Sequence, residues 1–252
     1  MNYRFLSLVR EFAITDFKLK YHGSILGYFW SLLNPLLMFG ILYIVFSLFV
    51  RFDIENYNLY LLLGIIIWGY FTEATLNSMT AWIAKSRIIK NIYFQRTIIV
   101  IASNLTALLG FVLNMVVFFI FFYFSDIRLS LNALLLPFYV ILLFLITIGF
   151  SFILSALHLK FLDVQHIWRI LLQIFFWATP IVYPLLLVPK NYRNIFLLNP
   201  FSLIIENTRD ILIYSKSVAL SQILLATFCS LVIFLIGYLI YKKMSDKFPE
   251  WV

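Results

Sequence analysis

Glu73 is the one charged residue in the apolar stretch 56–84, and an acid in such a setting is costly to place and marks function by default. A proton-driven carrier would need a relay of such groups. No second Asp, Glu, Lys or Arg lies within a comparable stretch, so a structural or gating hydrogen bond is the stronger reading of Glu73. His22, His158 and His166 fall near the ends of apolar runs, and the spacing of the last two does not match a zinc-binding helix. Cys229 is the sole cysteine, so neither a disulfide framework nor a paired-cysteine metal site is expected. The eight glycines are scattered, and none opens the Gly-Lys-Ser/Thr ending of a phosphate-cradling loop, so ATP hydrolysis by that route is not expected in this chain. Aromatic residues are the abundant resource, with 28 Phe and 15 Tyr. Phe39, Tyr43 and Phe46 recur on one helical face, and Phe176 and Tyr183 are seven apart with Trp177 beside them. Such rings commonly face lipid. The sharper reading is a stripe lining a conduit, where flat faces stack against the apolar faces of sugars.

The elements that must hold these residues follow from composition. Hydrophobic residues make up 63% of 252 and charged residues 12%, against about a quarter charged in soluble domains. The net charge of +8 comes without a basic and aromatic surface module, so no nucleic-acid partner is expected. Stretches 21–50, 97–125, 129–159, 170–189 and 217–241 carry no Lys, Arg, Asp or Glu, and 56–84 carries only Glu73. A bilayer core needs about 20 helical residues to cross, and hydrocarbon demands that a span satisfy its own backbone. The expectation is an all-α integral membrane protein of six spans, forming one domain over 1–252. With six spans, thirteen Lys and Arg fall on the side of both termini and six on the other, which makes both termini cytoplasmic.

Two segments do not fit the plain pattern. Phe5, Leu8 and Phe12 recur at helical spacing while Arg4, Arg10 and Glu11 fall elsewhere, the pattern of an amphipathic helix at a membrane surface. The start of the chain lacks the basic opening and cleavage site of a signal peptide. The second segment, 190–216, is apolar but contains Asn199-Pro200 and the charges Glu206, Arg209 and Asp210. A seventh span there would bury three charges and reverse the tail. Two half-helices broken at Asn199-Pro200 and dipping into the outer leaflet fit better.

The run Leu19-Lys20-Tyr21-His22-Gly23-Ser24-Ile25-Leu26-Gly27-Tyr28-Phe29-Trp30-Ser31-Leu32-Leu33-Asn34-Pro35-Leu36 resembles the N-terminal signature of the ABC type-2 permeases that export lipid-linked polysaccharides, the O-antigen and teichoic acid exporters. Three further blocks follow in the family's order: Ile89-Lys90-Asn91-Ile92-Tyr93-Phe94-Gln95-Arg96, Thr179-Pro180-Ile181-Val182-Tyr183-Pro184, and Leu198-Asn199-Pro200-Phe201 leading to Arg209-Asp210-Ile211-Leu212. Gln95 stands where the family usually has Pro, and Leu162-Asp163 where it often has Arg-Asp.

The resemblance implies a homodimer in the inner membrane, with two copies of a separate P-loop ATPase carrying ATP and Mg and no cofactor in this chain. It implies an interface helix over 1–24 and a coupling segment over 85–96, with Ile88, Asn91, Tyr93 and Arg96 meeting the ATPase. The expected cargo is undecaprenyl-pyrophosphate-linked polysaccharide, O-antigen first. Lys18, Lys20, Arg87 and Lys90 would draw the pyrophosphate to the inner mouth, and the aromatic stripe would guide the glycan. Asn199, Pro200, Glu206 and Arg209 would form an outer gate. Export of teichoic acid, capsule or another lipid or drug is the alternative. A proton-coupled secondary transporter would want paired intramembrane charges or matching broken spans in two halves, and an intramembrane enzyme an acidic or histidine cluster at one face. The sequence offers neither.

Overall fold

A computed structural model describes residues 2–20, 22–50, 54–86, 95–189, 191–193, 196 and 199–248. Among the described residues the chain forms eight α-helices and no strand, the all-α membrane architecture expected from composition.

Helix α1 (Asn2–Lys20) buries Val9 and Ala13, with Phe5, Leu8 and Phe12 half-buried beside them and Arg10, Glu11 and Lys18 exposed. The expected amphipathic face is therefore the packed one. It ends before Gly23 and Gly27, whose φ angles of 77° and 50° suit glycine and strain other residues. Those two glycines turn the chain into α2 (Phe29–Tyr43), which continues as a π-helical turn, Ile44–Val50.

Pro35 lies inside α2 and has no N–H to give the carbonyl of Ser31. The Asn114 side chain of α4 (Thr97–Tyr123) donates to that carbonyl at 3.2 Å instead. The proline of the N-terminal signature thus creates an acceptor that locks α2 to α4.

Helix α3 (Tyr57–Ala84) is apolar on all sides and is the centre of the molecule: 78% of its span is buried, against 11% for α2. A helix without a polar face belongs in the interior of a bundle. It packs on α4 and on α5 (Leu136–Lys160), which follows a short 3-10 turn. Asn104 of α4 donates to Ser78 Oγ of α3 at 3.0 Å and accepts from Ser151 of α5 at 3.3 Å. All three are fully buried, so one amide ties three helices where no water competes.

Helix α8 (Leu220–Ser245) packs chiefly on α5, and the two backbones meet at glycines. A Cβ on Gly237 would lie 2.2 Å from the Gly149 carbonyl oxygen, which is the close approach that small residues permit between membrane helices. Both terminal segments pack at one end of the bundle. Asp16 of α1 pairs with Lys85, which is buried and also lies over the Phe12 ring. Arg96 hydrogen-bonds the Ser245 carbonyl, and the Tyr241 hydroxyl accepts from Trp82 Nε1 at 3.2 Å while donating to the Arg96 carbonyl at 2.8 Å.

Among the described residues, five helical stretches are long and apolar enough to cross a bilayer. The segment expected as the fifth crossing, 170–189, differs from a single helix. Helix α6 (Val164–Ala178) is about 22 Å long at 1.5 Å per residue, and the chain then leaves helical geometry through Thr179 and the donor-less Pro180 and Pro184. Beyond it, α7 (Pro200–Leu212) stands where the second of two half-helices is expected in 190–216; residues 190, 194–195 and 197–198 of the first lie outside the described residues. Pro200 occupies its first turn, where a missing N–H costs nothing. Asn199 caps it by accepting from the Phe201 N–H at 3.0 Å.

Candidate functional site

The non-helical chain after α6 has backbone carbonyls that no helix satisfies, and inside a membrane such groups must find protein partners. They do so in register. Pro180 and Ile181 carbonyls each accept from Arg209 at 2.7 Å, the Val182 carbonyl from the Tyr57 hydroxyl at 2.9 Å, and the Tyr183 carbonyl from the Tyr60 hydroxyl at 3.0 Å. The Asn199 amide closes the row by donating to Thr179 Oγ1 at 3.0 Å.

Arg209 is fully buried and uses all five of its donors. Beyond those two carbonyls it reaches the Tyr60 carbonyl twice, at 3.0 and 3.2 Å, and Glu206 at 2.6 Å. Its guanidinium also lies 3.3 Å from the centroid of the Tyr60 ring. Gly64 makes the room: a Cβ there would sit 2.7 Å from Arg209 Nη2. Two sequence blocks noticed separately, around Thr179–Pro184 and Asn199–Asp210, are therefore two halves of one clamp on the first turns of α3. This clamp sits at the end of the bundle opposite the terminal segments.

The second feature is a cavity of about 890 Å³ between α2, α3, α4 and α6. Its wall mixes aromatic rings, including Trp30, Trp68, Phe176 and Trp177, with the amides Asn34, Asn77, Asn114 and Gln173. Lys20, Glu73 and Arg169 also line it. Glu73, alone in its span by sequence, is paired: Lys20 Nζ lies 2.7 Å from its carboxylate. On α3 the Lys85 and Glu73 contacts of α1 are about 18 Å apart at 1.5 Å per residue. Helix α1 thus extends along the inner bundle from the end of α3 toward its middle.

The expected conduit residues divide. Phe39 and Tyr43 stack at 5.5 Å, Tyr43 stacks on Tyr57 at 6.1 Å and Tyr57 on Tyr60 at 6.1 Å, a ladder leading to the clamp. Phe46 leaves that ladder, because the π-helical turn rotates it, and approaches Trp177 at 6.4 Å. Tyr183 is not on a helix with Phe176, since α6 ends at Ala178; its hydroxyl donates to the Trp177 carbonyl at 2.6 Å. Phe39 and Phe176 are buried within the chain, whereas Trp177 is exposed.

Of the expected inner-mouth cations, Lys18 is exposed and Lys20 is held by Glu73. Arg87 and Lys90, and the coupling residues Ile88, Asn91 and Tyr93, lie outside the described residues. Arg96 is bound to the end of α8. At the other end, Asn199, Pro200, Glu206 and Arg209 come together in the clamp.

Sequence reasoning passed over Tyr57, Tyr60, Asn34, Asn77, Asn114, Arg169 and Gln173. The amides had a signal, since uncharged polar side chains in a span also need partners.

The chain matches a family model described as ABC-2 type transporter over residues 8–213. It is similar to two proteins of Klebsiella pneumoniae named O-antigen export system permease protein RfbA, each 30% identical over 93% of this chain and 91% of the relative. A Myxococcus xanthus protein of the same name is 24% identical over 98% of this chain and 96% of the relative.

Proposed function

We propose, from the premise that this chain belongs to the ABC-2 type transporter family, that it is the permease subunit of an exporter that moves O-antigen across the inner membrane. The carrying observation is the likeness to O-antigen permeases along nearly the whole length of both chains. The cargo is a polysaccharide carried on undecaprenyl pyrophosphate. Its sugars suit the cavity, where aromatic faces stack on C–H surfaces and Asn and Gln side chains meet hydroxyls. Tyr43, Tyr57 and Tyr60 continue that surface toward the outer end.

Two copies of the chain form the transporter, with α2 and α6 meeting across the two-fold. These helices flank the cavity and leave apolar surface exposed in a single chain: Phe29, Leu37 and Ile41 on α2, and Ile167, Ile170, Ile174 and Trp177 as one strip on α6. Two copies of a P-loop ATPase dock at the end bearing both terminal segments, which the positive-inside rule places in the cytoplasm. There α1 is tied to α3 through Asp16 and Lys85, and α4 to α8 through Arg96. A push at 85–96 would therefore reach four helices. The Arg209 clamp is the outer gate, held closed by hydrogen bonds that hydrocarbon cannot replace.

Deleting the gene tests the cargo. The expected result is loss of surface O-antigen with lipid-linked glycan accumulating inside the cell, both reversed by the restored gene. Unchanged surface polysaccharide with no accumulation would reject O-antigen export.

A further inference from the structure

Helix α3 is closed along its first half except at one residue. Of residues 59–71, all are buried but Gly69, which stands in a helix interior where glycine lowers stability relative to alanine. Three other glycines of the spans have a packing reason: a Cβ on Gly64, Gly149 or Gly237 would come within 3 Å of a neighbouring atom. At Gly69 a Cβ would meet no surrounding atom within 4 Å among the described residues. The space it leaves belongs to the cavity of about 890 Å³. Trp68, the preceding residue, packs on Phe176 of α6 at 6.2 Å, and Phe176 on Trp177 at 5.2 Å, so α6 brings an aromatic rim to the same cavity. One turn further along α3, Glu73 faces Gly110 of α4, where a Cβ would lie 3.9 Å from the carboxylate and within 4 Å of nothing else among the described residues. Two neighbouring helices are thus bare of side chains at one level, under aromatic rings.

We propose that Gly69 sets the girth of the cargo: one sugar ring of the passing glycan lies against the bare helix at this residue, and any side chain in its place narrows the passage. This rests on the reading of the cargo as a polysaccharide and adds the residue that limits its width. Glycine allows a ligand to approach the helix backbone closely, and a ring with apolar faces suits the aromatic rim beside it. A packing glycine and a passage glycine differ in the sign of their response to substitution. Filling the first forces neighbouring atoms apart. Filling the second gains helix propensity and loses only function, the usual exchange of activity for stability at a site kept open for a ligand.

Export by Gly69→Ala and Gly69→Leu in the deletion strain, with membrane level and Tm measured for each, tests this. Gly69→Ala should melt about 2–4 °C higher through its helix propensity and yet export more slowly, a split that a structural role would not produce. Gly69→Leu should lower export about tenfold or more, the discrimination that added methylenes supply in a pocket. If Gly69→Leu folds poorly, the alanine variant still carries the test. Occupancy is read directly in Gly69→Cys combined with Cys229→Ser, by alkylation of the introduced thiol in lipid nanodiscs: lipid-linked glycan should slow the reaction and undecaprenyl phosphate should not. Equal protection by undecaprenyl phosphate puts a lipid tail at Gly69, and loss of the dimer in native mass spectrometry of Gly69→Leu puts the second copy there. Either result overturns the proposal, as does wild-type export by Gly69→Leu at a normal membrane level. If that variant exports normally while the deletion strain lacks surface O-antigen, Gly69 is not the limit and the cargo reading stands. If surface O-antigen survives the deletion, the cargo reading falls and this proposal with it.

Discussion

Replacing Arg209 by Met removes the centre of the clamp while keeping side-chain length. The guanidinium loses bonds to three carbonyls and to Glu206; the carbonyls are closed off inside the bundle, whereas the Glu206 side chain is 26% exposed. Each orphaned carbonyl costs about 1–3 kcal/mol before relaxation, and the partly exposed Glu206 carboxylate adds less than the roughly 3–5 kcal/mol of a fully buried stranded partner. Collapse around Met recovers part of the carbonyl contribution, so the expected loss is about 3–5 kcal/mol in all. For a chain of this length that corresponds to a fall of roughly 6–20 °C in Tm, measured by thermal denaturation in detergent or nanodiscs. Arg209→Lys keeps the charge and three donors on one nitrogen, which cannot fork to Tyr60, Pro180 and Ile181 together, so it should fall between Met and wild type. Adding Glu206→Gln to Arg209→Met should recover stability, because the stranded carboxylate is gone. If Arg209→Met melts within about 2 °C of wild type, the clamp does not hold this end of the molecule.

Gly64→Ala is a test of sign: helix propensity favours Ala by about 1 kcal/mol, yet its methyl would meet Arg209 Nη2 at 2.7 Å and the Ile181 carbonyl at 3.1 Å, so Tm should fall rather than rise. Gly237→Val should separate α5 from α8, since even a Cβ lies 2.2 Å from the Gly149 carbonyl oxygen; the expected loss is about 3 kcal/mol or more, read as lowered Tm and reduced membrane accumulation. Asn199→Ala loses both the cap of α7 and the bond to Thr179, for about 1–2 kcal/mol. Asn199→Asp keeps the cap acceptor but not the amide donor and should lie between them by the same melting assay.

The spans and the amphipathic start were legible because hydrocarbon leaves few options: long uncharged runs can only be helices, and a stripe at Phe5, Leu8 and Phe12 can only face something apolar. The break at Asn199-Pro200 was legible from backbone chemistry alone. The clamp was not, because Arg209 and Tyr60 are 149 residues apart and nothing local marks Tyr57 and Tyr60 among so many aromatics. Glu73 shows the same limit. Its cost was visible in sequence, but its partner Lys20 comes from outside the span, across the turn at Gly23 and Gly27. The single helix expected over 170–189 misjudged how much non-helical backbone a membrane protein tolerates when Arg209, Tyr57 and Tyr60 satisfy its carbonyls one by one.

The most direct test of the central claim is transport in inside-out membrane vesicles that hold this chain together with its ATPase, with lipid-linked O-antigen supplied on the outside. Glycan should become protected within the vesicle only with ATP and only when both proteins are present, and protection should be lost when 85–96 is deleted from the chain. ATP-independent protection, or equal protection in vesicles lacking this chain, would contradict it.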